Sequence, residues 1–141
     1  MKGREGADFS FSGLKTAVRQ VTLEGAVDAA DLSASFQAAV IDILEDRVRA
    51  AMTMFRRDFS GESNSSFVVA GGVAANGAIR AALSNLASEE GFSFTVPPVR
   101  LCTDNAAMIA WAGVERAALG LFDPLDAPAR ARWPLYPDEA A

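Results

Sequence analysis

Histidine is absent from this sequence, and cysteine occurs once, as Cys102. A chain without histidine cannot by itself build a histidine-containing metal site or a histidine-dependent catalytic triad. A single cysteine excludes an internal disulfide bond. The sequence also lacks any hydrophobic run near the roughly 20 residues that span a bilayer, and its first residues lead into no apolar signal core. We therefore expect a cytoplasmic protein with no membrane partner.

Basic residues are also in deficit, with 13 Lys and Arg against 18 Asp and Glu and a net charge of −5. Neutralisation of phosphates supplies most of the affinity for nucleic acids, so this chain alone is not expected to bind them strongly. The length of 141 residues, half of them hydrophobic, fits one domain with a sizeable core. We predict a single unit over 1–141, with a linker or truncated edge at 1–8 and an irregular tail at 126–141.

Apolar residues alternate between strand and helix spacing along the chain. Short strands are predicted at 9–12, 67–70 and 92–96, and a helix is expected to begin soon after each. A long amphipathic helix is predicted from about Ser33 to Arg57. Its predicted buried stripe consists of Phe36, Val40, Ile43, Leu44, Val48, Ala51, Met52 and Phe55. This alternation predicts an α/β domain with a mixed sheet, in which ligands sit at the turns that follow the strands.

The segment from Phe67 to Arg80 predicts a strand, a tight turn at Gly71 and Gly72, and a helix. Glycines let a ligand approach the backbone, and the first N–H groups of a helix attract anions. Asn76 can either cap this helix or turn its amide toward a ligand. The pattern is neither GxGxxG nor a phosphate-binding loop ending in Lys-Ser or Lys-Thr, so a purely structural turn is the alternative.

A second turn lies at Cys102-Thr103-Asp104, where Thr103 is a predicted helix cap and Asp104 is predicted to fall in the first helical turn. A rigid carboxylate there can bind a metal. The alternative is that Asp104 only stabilises the helix through a favourable interaction with the helix dipole. One carboxylate alone does not make a metal site. The following small residues predict a helix that packs closely on its neighbours. They are Ala106, Ala107, Ala110, Ala112 and Gly113.

Other charged residues give weaker signals. Lys15 lies in the first turn of the helix that follows Ser12 and reads most simply as a surface cation. On the long helix, the charges of Asp42 and Asp46 are expected on the solvent face, and Glu45 and Arg49 have the favourable spacing for an ion pair. None of these residues has a partner in sequence that indicates chemistry.

Four stretches in this order and spacing resemble the carboxy-terminal half of the TsaD family, also known as Kae or Gcp proteins. They are Asp8 to Thr16 (DFSFSGLKT), Val69 to Asn76 (VAGGVAAN), Cys102 to Ala110 (CTDNAAMIA) and Arg132 to Leu135 (RWPL). The resemblance covers essentially the whole chain. It implies a ribonuclease-H-like lobe of the actin-like, sugar-kinase-like ATPase fold, with this chain as the second of two lobes.

The resemblance also implies an activity, which is transfer of the threonylcarbamoyl group from threonylcarbamoyl-adenylate to N6 of adenosine 37 in tRNA. Asn76 is then the residue that contacts the adenylate, Gly71 and Gly72 shape the turn beneath it, and Asp104 completes a metal site. The metal is one divalent ion, iron or zinc by resemblance. Its other protein ligands are two histidines in the family's first half, which is absent here, so this chain alone is predicted to be inactive.

The implied partners are the amino-terminal lobe, TsaB-like and TsaE-like proteins, and tRNA bound through the intact complex. Half of a two-lobed protein should expose a large apolar surface, so self-association is also expected. Two alternatives stay open: a non-catalytic interaction module of the same family, and a sugar-kinase-like phosphoryl transfer. The family was once labelled a peptidase, but Cys102 and the serines have no histidine to act with.

Overall fold

The computed structural model describes residues 3–61 and 64–128. The chain divides into two compact units, Met1–Asp104 and Asn105–Ala141. In chain order, the helices and strands are α1 (Ser12–Glu24), α2 (Ala29–Asp58), β1 (Ser66–Val68), α3 (Gly77–Glu89), β2 (Ser93–Thr95) and α4 (Ala106–Ala118). Short 3₁₀ segments lie at Gly72–Ala75 and Val99–Leu101. No described helix combines the length and the apolar character that crossing a bilayer requires.

The sheet of the described residues has two strands. β1 pairs with β2 in parallel, with Phe67 opposite Phe94, and α3 forms the connection between the strands. The two rings lie 5.9 Å apart, which makes them a cross-strand aromatic pair. The α/β class is therefore confirmed, but the predicted mixed sheet is not seen in the described part of the chain, because its only two strands are parallel.

The predicted strand at 9–12 is wrong. Residues 8–11 have no regular secondary structure, and Ser12 already belongs to α1. Phe9 and Phe11 are 47% and 39% exposed, and their rings stack on each other at 6.4 Å. Alternating residues favour a strand only if another strand accepts the backbone hydrogen bonds, and no neighbouring strand is found here among the described residues.

The long helix α2 starts four residues earlier than predicted, at Ala29. The Asp28 carboxylate oxygen Oδ1 accepts hydrogen bonds from the backbone N–H groups of Ala30 and Asp31, at 2.8 and 3.1 Å. An aspartate that caps a helix in this way stabilises it by about 1 kcal/mol. Residues 29–32, just before the predicted start, therefore form the first turn of α2.

The core of the first unit lies between α2, α3 and β2. Its buried residues are Val48, Met52, Ile79, Leu83, Leu86, Ala87 and Phe92. The predicted stripe of α2 is confirmed at Val48 and Met52, whereas Phe36, at 42%, is exposed. Phe36 lies one helical turn before Val40, the first residue of α2 that packs against this core. The stripe therefore packs against the core only from Val40 onward, and Ala51 within it is exposed.

Arg47 is a buried charged residue that the sequence pattern did not indicate, with an exposed fraction of 2%. Its Nη1 donates to the backbone oxygens of Arg4 and Gly6, both at 2.8 Å, and its Nε donates to Asp46 Oδ2 at 2.8 Å. The Gly3 N–H donates to the same carboxylate at 3.2 Å. The predicted solvent face of α2 is therefore interrupted here, where two neighbouring charged side chains hold the segment 3–6.

A second charged cluster joins α2 to the end of α3. Arg49 donates to Glu89 Oε2 at 3.0 Å and also to Glu90, so it pairs with α3 rather than with the predicted Glu45. Arg56 donates to Glu90 Oε2 at 2.9 Å and lies over the Phe92 ring, 5.1 Å from its centre. The hydrogen bond from Arg56, followed by that from Arg49, lowers the pKa of Glu90.

This cluster predicts an acid-sensitive contribution to stability. Because the pKa of Glu90 is lower in the folded chain than its ordinary 4.5, the contribution is complete above that value and is lost as the pH falls through the folded pKa. We expect a loss of order 1 kcal/mol, since both arginines are about half exposed to solvent. Urea unfolding between neutral pH and pH ~3 measures it.

The variant Glu90→Gln should already show the loss at neutral pH and should flatten the pH dependence. Glu24→Gln, on α1 and outside the cluster, is the control, because it also removes one glutamate. An unchanged acid slope in Glu90→Gln would show that the cluster does not cause the acid sensitivity.

In the second unit, every residue of α4 is exposed. Asn105 Oδ1 accepts from the Met108 N–H at 3.2 Å, so Asn105 caps the helix and the predicted cap at Thr103 is wrong. The expected close packing of its small residues stays a prediction, since α4 has no buried residue within this unit. Its large apolar side chains Ile109 and Trp111 are 76% and 69% exposed.

Gly120 lies two residues after the end of α4 in the left-handed conformation (φ 69°), which glycine favours at helix ends. The predicted irregular tail lies only partly within the description, because residues 129–141 are outside it. The motif from Arg132 to Leu135 therefore lies outside the described residues.

Candidate functional site

The turn after β1 is formed as the sequence predicts. Gly71 has φ 73°, a conformation that favours glycine, and the 3₁₀ segment Gly72–Ala75 follows it. The Ala74 N–H donates to the Gly71 carbonyl at 3.0 Å, which closes the turn. A Cβ atom placed on Gly71 or Gly72 would meet nothing within 4 Å. The two glycines therefore leave an open surface, which a ligand can approach closely.

Asn76 caps α3, as one of its two predicted roles requires. Its Oδ1 accepts from the backbone N–H groups of Ala78 and Ile79, at 3.0 and 3.1 Å. Its Nδ2 donates to Gln37 Oε1 at 3.0 Å. The structure thus confirms the capping role, and contact with a ligand stays a prediction. Sequence reasoning did not single out Gln37, which lies 39 residues away on α2, because no local pattern connects the two residues.

Arg80 links the glycine turn to the segment that carries Asp104. Its Nε and Nη2 donate to the Ala74 carbonyl at 2.9 and 2.6 Å, and Nη2 lies 3.9 Å from the sulfur of Cys102. The Cys102 thiol is 1% exposed and lies 3.5 Å from the carbonyl oxygens of Pro97 and Pro98. Arg80 was not predicted to contribute to the site, although it connects two of its predicted parts.

Asp104 is exposed and precedes α4, so the prediction that it falls in the first helical turn is wrong. The physical reason is that Asn105, not Thr103, provides the capping oxygen. Within the described ranges, no group of three or more His, Cys, Asp or Glu side chains is placed to hold a metal ion. Asp104 therefore provides one carboxylate but no complete metal centre.

Lys15 borders a separate groove between α1 and α2, with a volume of about 500 Å³. The groove is also lined by Val18, Leu32, Ser33 and Phe36. Its lining is largely apolar and it includes neither the glycine turn nor Asp104, so Lys15 gains no catalytic role from it.

Known proteins with similar sequences indicate the family of this chain. The family model described as "TsaD: tRNA N6-adenosine threonylcarbamoyltransferase" matches residues 1–111. A tRNA N6-adenosine threonylcarbamoyltransferase of Brucella anthropi is 57% identical over 139 residues, and those of Brucella ovis and Brucella abortus are 56% identical. The alignments cover 96% of this chain but only 39% of each relative.

The matched range contains the glycine turn, Asn76, Arg80 and Asp104, and it extends over more than half of the chain. These residues therefore lie in the part of the sequence that carries the family's pattern, and the chain belongs to the TsaD family.

Proposed function

We propose that this chain supplies the carboxy-terminal wall of the active site of a tRNA N6-adenosine threonylcarbamoyltransferase. The observation that carries the proposal is the open glycine turn followed by a capped helix, within the range that matches the family. In the proposed reaction, N6 of adenosine 37 in tRNA attacks the carbamoyl carbon of threonylcarbamoyl-adenylate. A C–N bond forms, the bond from that carbon to the phosphate oxygen breaks, AMP leaves, and the amine loses one proton.

The proposed place of the adenylate is against Gly71, Gly72 and Asn76. The absence of Cβ atoms lets the ligand reach the backbone of the turn. Asn76 already occupies two of the first N–H groups of α3, those of Ala78 and Ile79. The helix start is therefore not a free anion site, and the ligand must be recognised by the Asn76 amide and the backbone of the turn.

Asp104 is proposed as one carboxylate ligand of a divalent metal, iron or zinc. It is exposed, and nearby Cys102 contacts Arg80, which also holds the glycine turn. A single carboxylate does not hold a metal against its hydration shell. We therefore place the remaining ligands in the amino-terminal part of the longer enzyme and assign no chemical step of this chain to the metal.

The wider assembly is part of the same proposal. The first unit forms part of a ribonuclease-H-like lobe of the actin-like ATPase fold, and an amino-terminal lobe provides the opposite wall of the cleft. TsaB-like and TsaE-like proteins complete the complex. tRNA binds to the whole assembly rather than to this chain alone, because the net charge of −5 on this chain repels phosphates. The enzyme acts in the cytoplasm. The exposed apolar residues of α4 offer a surface for these contacts or for self-association.

Calorimetric titration with a threonylcarbamoyl-adenylate analogue tests the proposal. The titration is done with and without an amino-terminal fragment of the Brucella anthropi relative. We expect binding only when both pieces are present, because one wall does not enclose the ligand. Asn76→Asp should weaken that binding about tenfold or more, since aspartate still caps α3 but cannot donate to the ligand.

Asn85→Asp is the matched control, because it makes the same change at an exposed position of α3. It should bind like the unaltered chain. Equal binding by Asn76→Asp and Asn85→Asp would remove Asn76 from the site, and no binding with both pieces present would favour the non-catalytic interaction module.

A further inference from the structure

The hydrogen bonds of Asn76 settle which way its amide points. Backbone N–H groups can only donate, so the atom that faces Ala78 and Ile79 must be the oxygen Oδ1. The nitrogen Nδ2 then faces Gln37, and Gln37 must present its oxygen Oε1 in return, at 3.0 Å. The orientations of both side-chain amides therefore follow from the capping contact.

The two amides have only N–H groups left for a ligand. Asn76 has accepted two hydrogen bonds at Oδ1 and has given one of its two Nδ2 hydrogens to Gln37. Among the described residues, the other Nδ2 hydrogen and the Nε2 group of Gln37 have no protein acceptor. Both side chains are half-buried, so these donors are partly accessible.

Gln37 lies on a part of α2 whose position is fixed by packing against the core. Val40, Ile41 and Leu44, which follow it within two turns, pack against the core that α2 shares with α3. The α2 backbone that carries Gln37 is therefore fixed relative to the start of α3, where Asn76 lies. Side chains supported in this way by packed elements hold a functional group more accurately than a loop does.

From these contacts we propose that Gln37 is a positioning residue of the adenylate site. It holds the Asn76 amide so that one N–H remains for the ligand, and together the two side chains select acceptor atoms such as a ribose hydroxyl or a phosphate oxygen. The inference rests on the proposed function for the identity of the ligand, but the positioning itself is a property of the chain without ligand.

The first test therefore uses the ligand-free chain and the side-chain amide signals of Asn76 in ¹H–¹⁵N NMR spectra. In Gln37→Ala, the Nδ2 proton that points to Gln37 should move upfield, toward its position in a water-exposed amide, because its acceptor is gone. In Gln37→Glu this proton should stay downfield, since a carboxylate still accepts the bond. The backbone signals of Ala78 and Ile79 should stay in place in both variants, which a general loss of structure would not allow.

The control for this test is Gln20→Ala, on the exposed surface of α1, which should leave the Asn76 signals unchanged. If the Asn76 amide signals are the same in Gln37→Ala as in the unaltered chain, Gln37 does not position Asn76 and the inference is overturned.

The second test titrates AMP in the presence of the amino-terminal fragment. We expect AMP to shift the Asn76 amide signals, and Gln37→Glu to weaken binding about tenfold, because it replaces outward donors by a negative charge. Gln20→Glu, with the same change of charge, should bind normally. Equal affinity in Gln37→Glu would refute the selection of acceptor atoms.

Absence of any AMP-induced shift at Gly71, Gly72 and Asn76 in the unaltered chain would overturn the proposed adenylate site instead. The ligand-free spectra would still decide whether Gln37 positions Asn76, so the two failures are distinguishable.

Discussion

Replacement of Leu86 by alanine is expected to lower the free energy of unfolding of the first unit by about 3 kcal/mol. Leu86 is 1% exposed and lies on the buried face of α3, in the cluster shared with α2 and β2. The substitution removes the transfer free energy of the lost methine and methyl groups and leaves a cavity that close-packed neighbours fill only in part. This effect should be among the largest that one substitution can cause here.

Cys102 offers a direct measurement. It is the only cysteine, it is buried, and it lies in the first unit, whereas both tryptophans, at 111 and 133, lie in the second. Pulsed thiol labelling in increasing urea therefore follows unfolding of the first unit, which contains no tryptophan. Leu23→Ala, at a site that is 72% exposed on α1, is the matched control and should change stability by less than about 0.5 kcal/mol. Similar losses for the two variants would contradict the position of Leu86 in the core.

Replacement of Arg47 by methionine should detach the segment 3–6 from α2. Methionine has a similar length but cannot donate to the carbonyl oxygens of Arg4 and Gly6 or pair with Asp46. Hydrogen bonds from charged groups contribute about 1.5–3 kcal/mol each, but the freed carbonyls regain water when the segment leaves. We therefore expect a net cost of about 2–4 kcal/mol, most of it local.

Hydrogen exchange read by mass spectrometry distinguishes local detachment from general unfolding. Exchange of Gly3, whose N–H donates to Asp46, should rise by about thirtyfold if 2 kcal/mol is lost there, while exchange in α3 should change little. Arg57→Met is the control on the same helix, since the Arg57 pair with Asp58 lies in the solvent. Unchanged protection of Gly3 in Arg47→Met would show that other contacts hold the segment.

The features that could be predicted from the sequence are those decided by neighbours along the chain. The glycine turn, the cap at Asn76 and the end of α4 at Gly120 follow from conformations that Gly and Asn adopt locally. The buried residues Val48 and Met52 follow from helical periodicity. The α/β class was predicted in the same way, because strand and helix spacing alternate in the sequence.

The errors occur where an element needs a partner that is distant in the chain. The spacing of Phe9 and Phe11 allows a strand, but a strand forms only beside another strand, and the described sheet provides none there. Asp104 was placed in the first turn of α4 because the predicted cap, Thr103, lies two residues before the observed cap, Asn105, and local sequence does not rank the two.

The candidate site also combines features set by local sequence with contacts set by the tertiary structure. By itself, the sequence determined the open turn at Gly71 and Gly72 and the capping role of Asn76, since each depends on backbone conformation within a few residues. Only the tertiary structure decided that Gln37 holds the Asn76 amide and that Arg80 reaches Cys102, because these contacts join residues 39 and 22 positions apart. Long-range contacts depend on how α2 and α3 pack, and this packing brings together side chains that no local pattern relates.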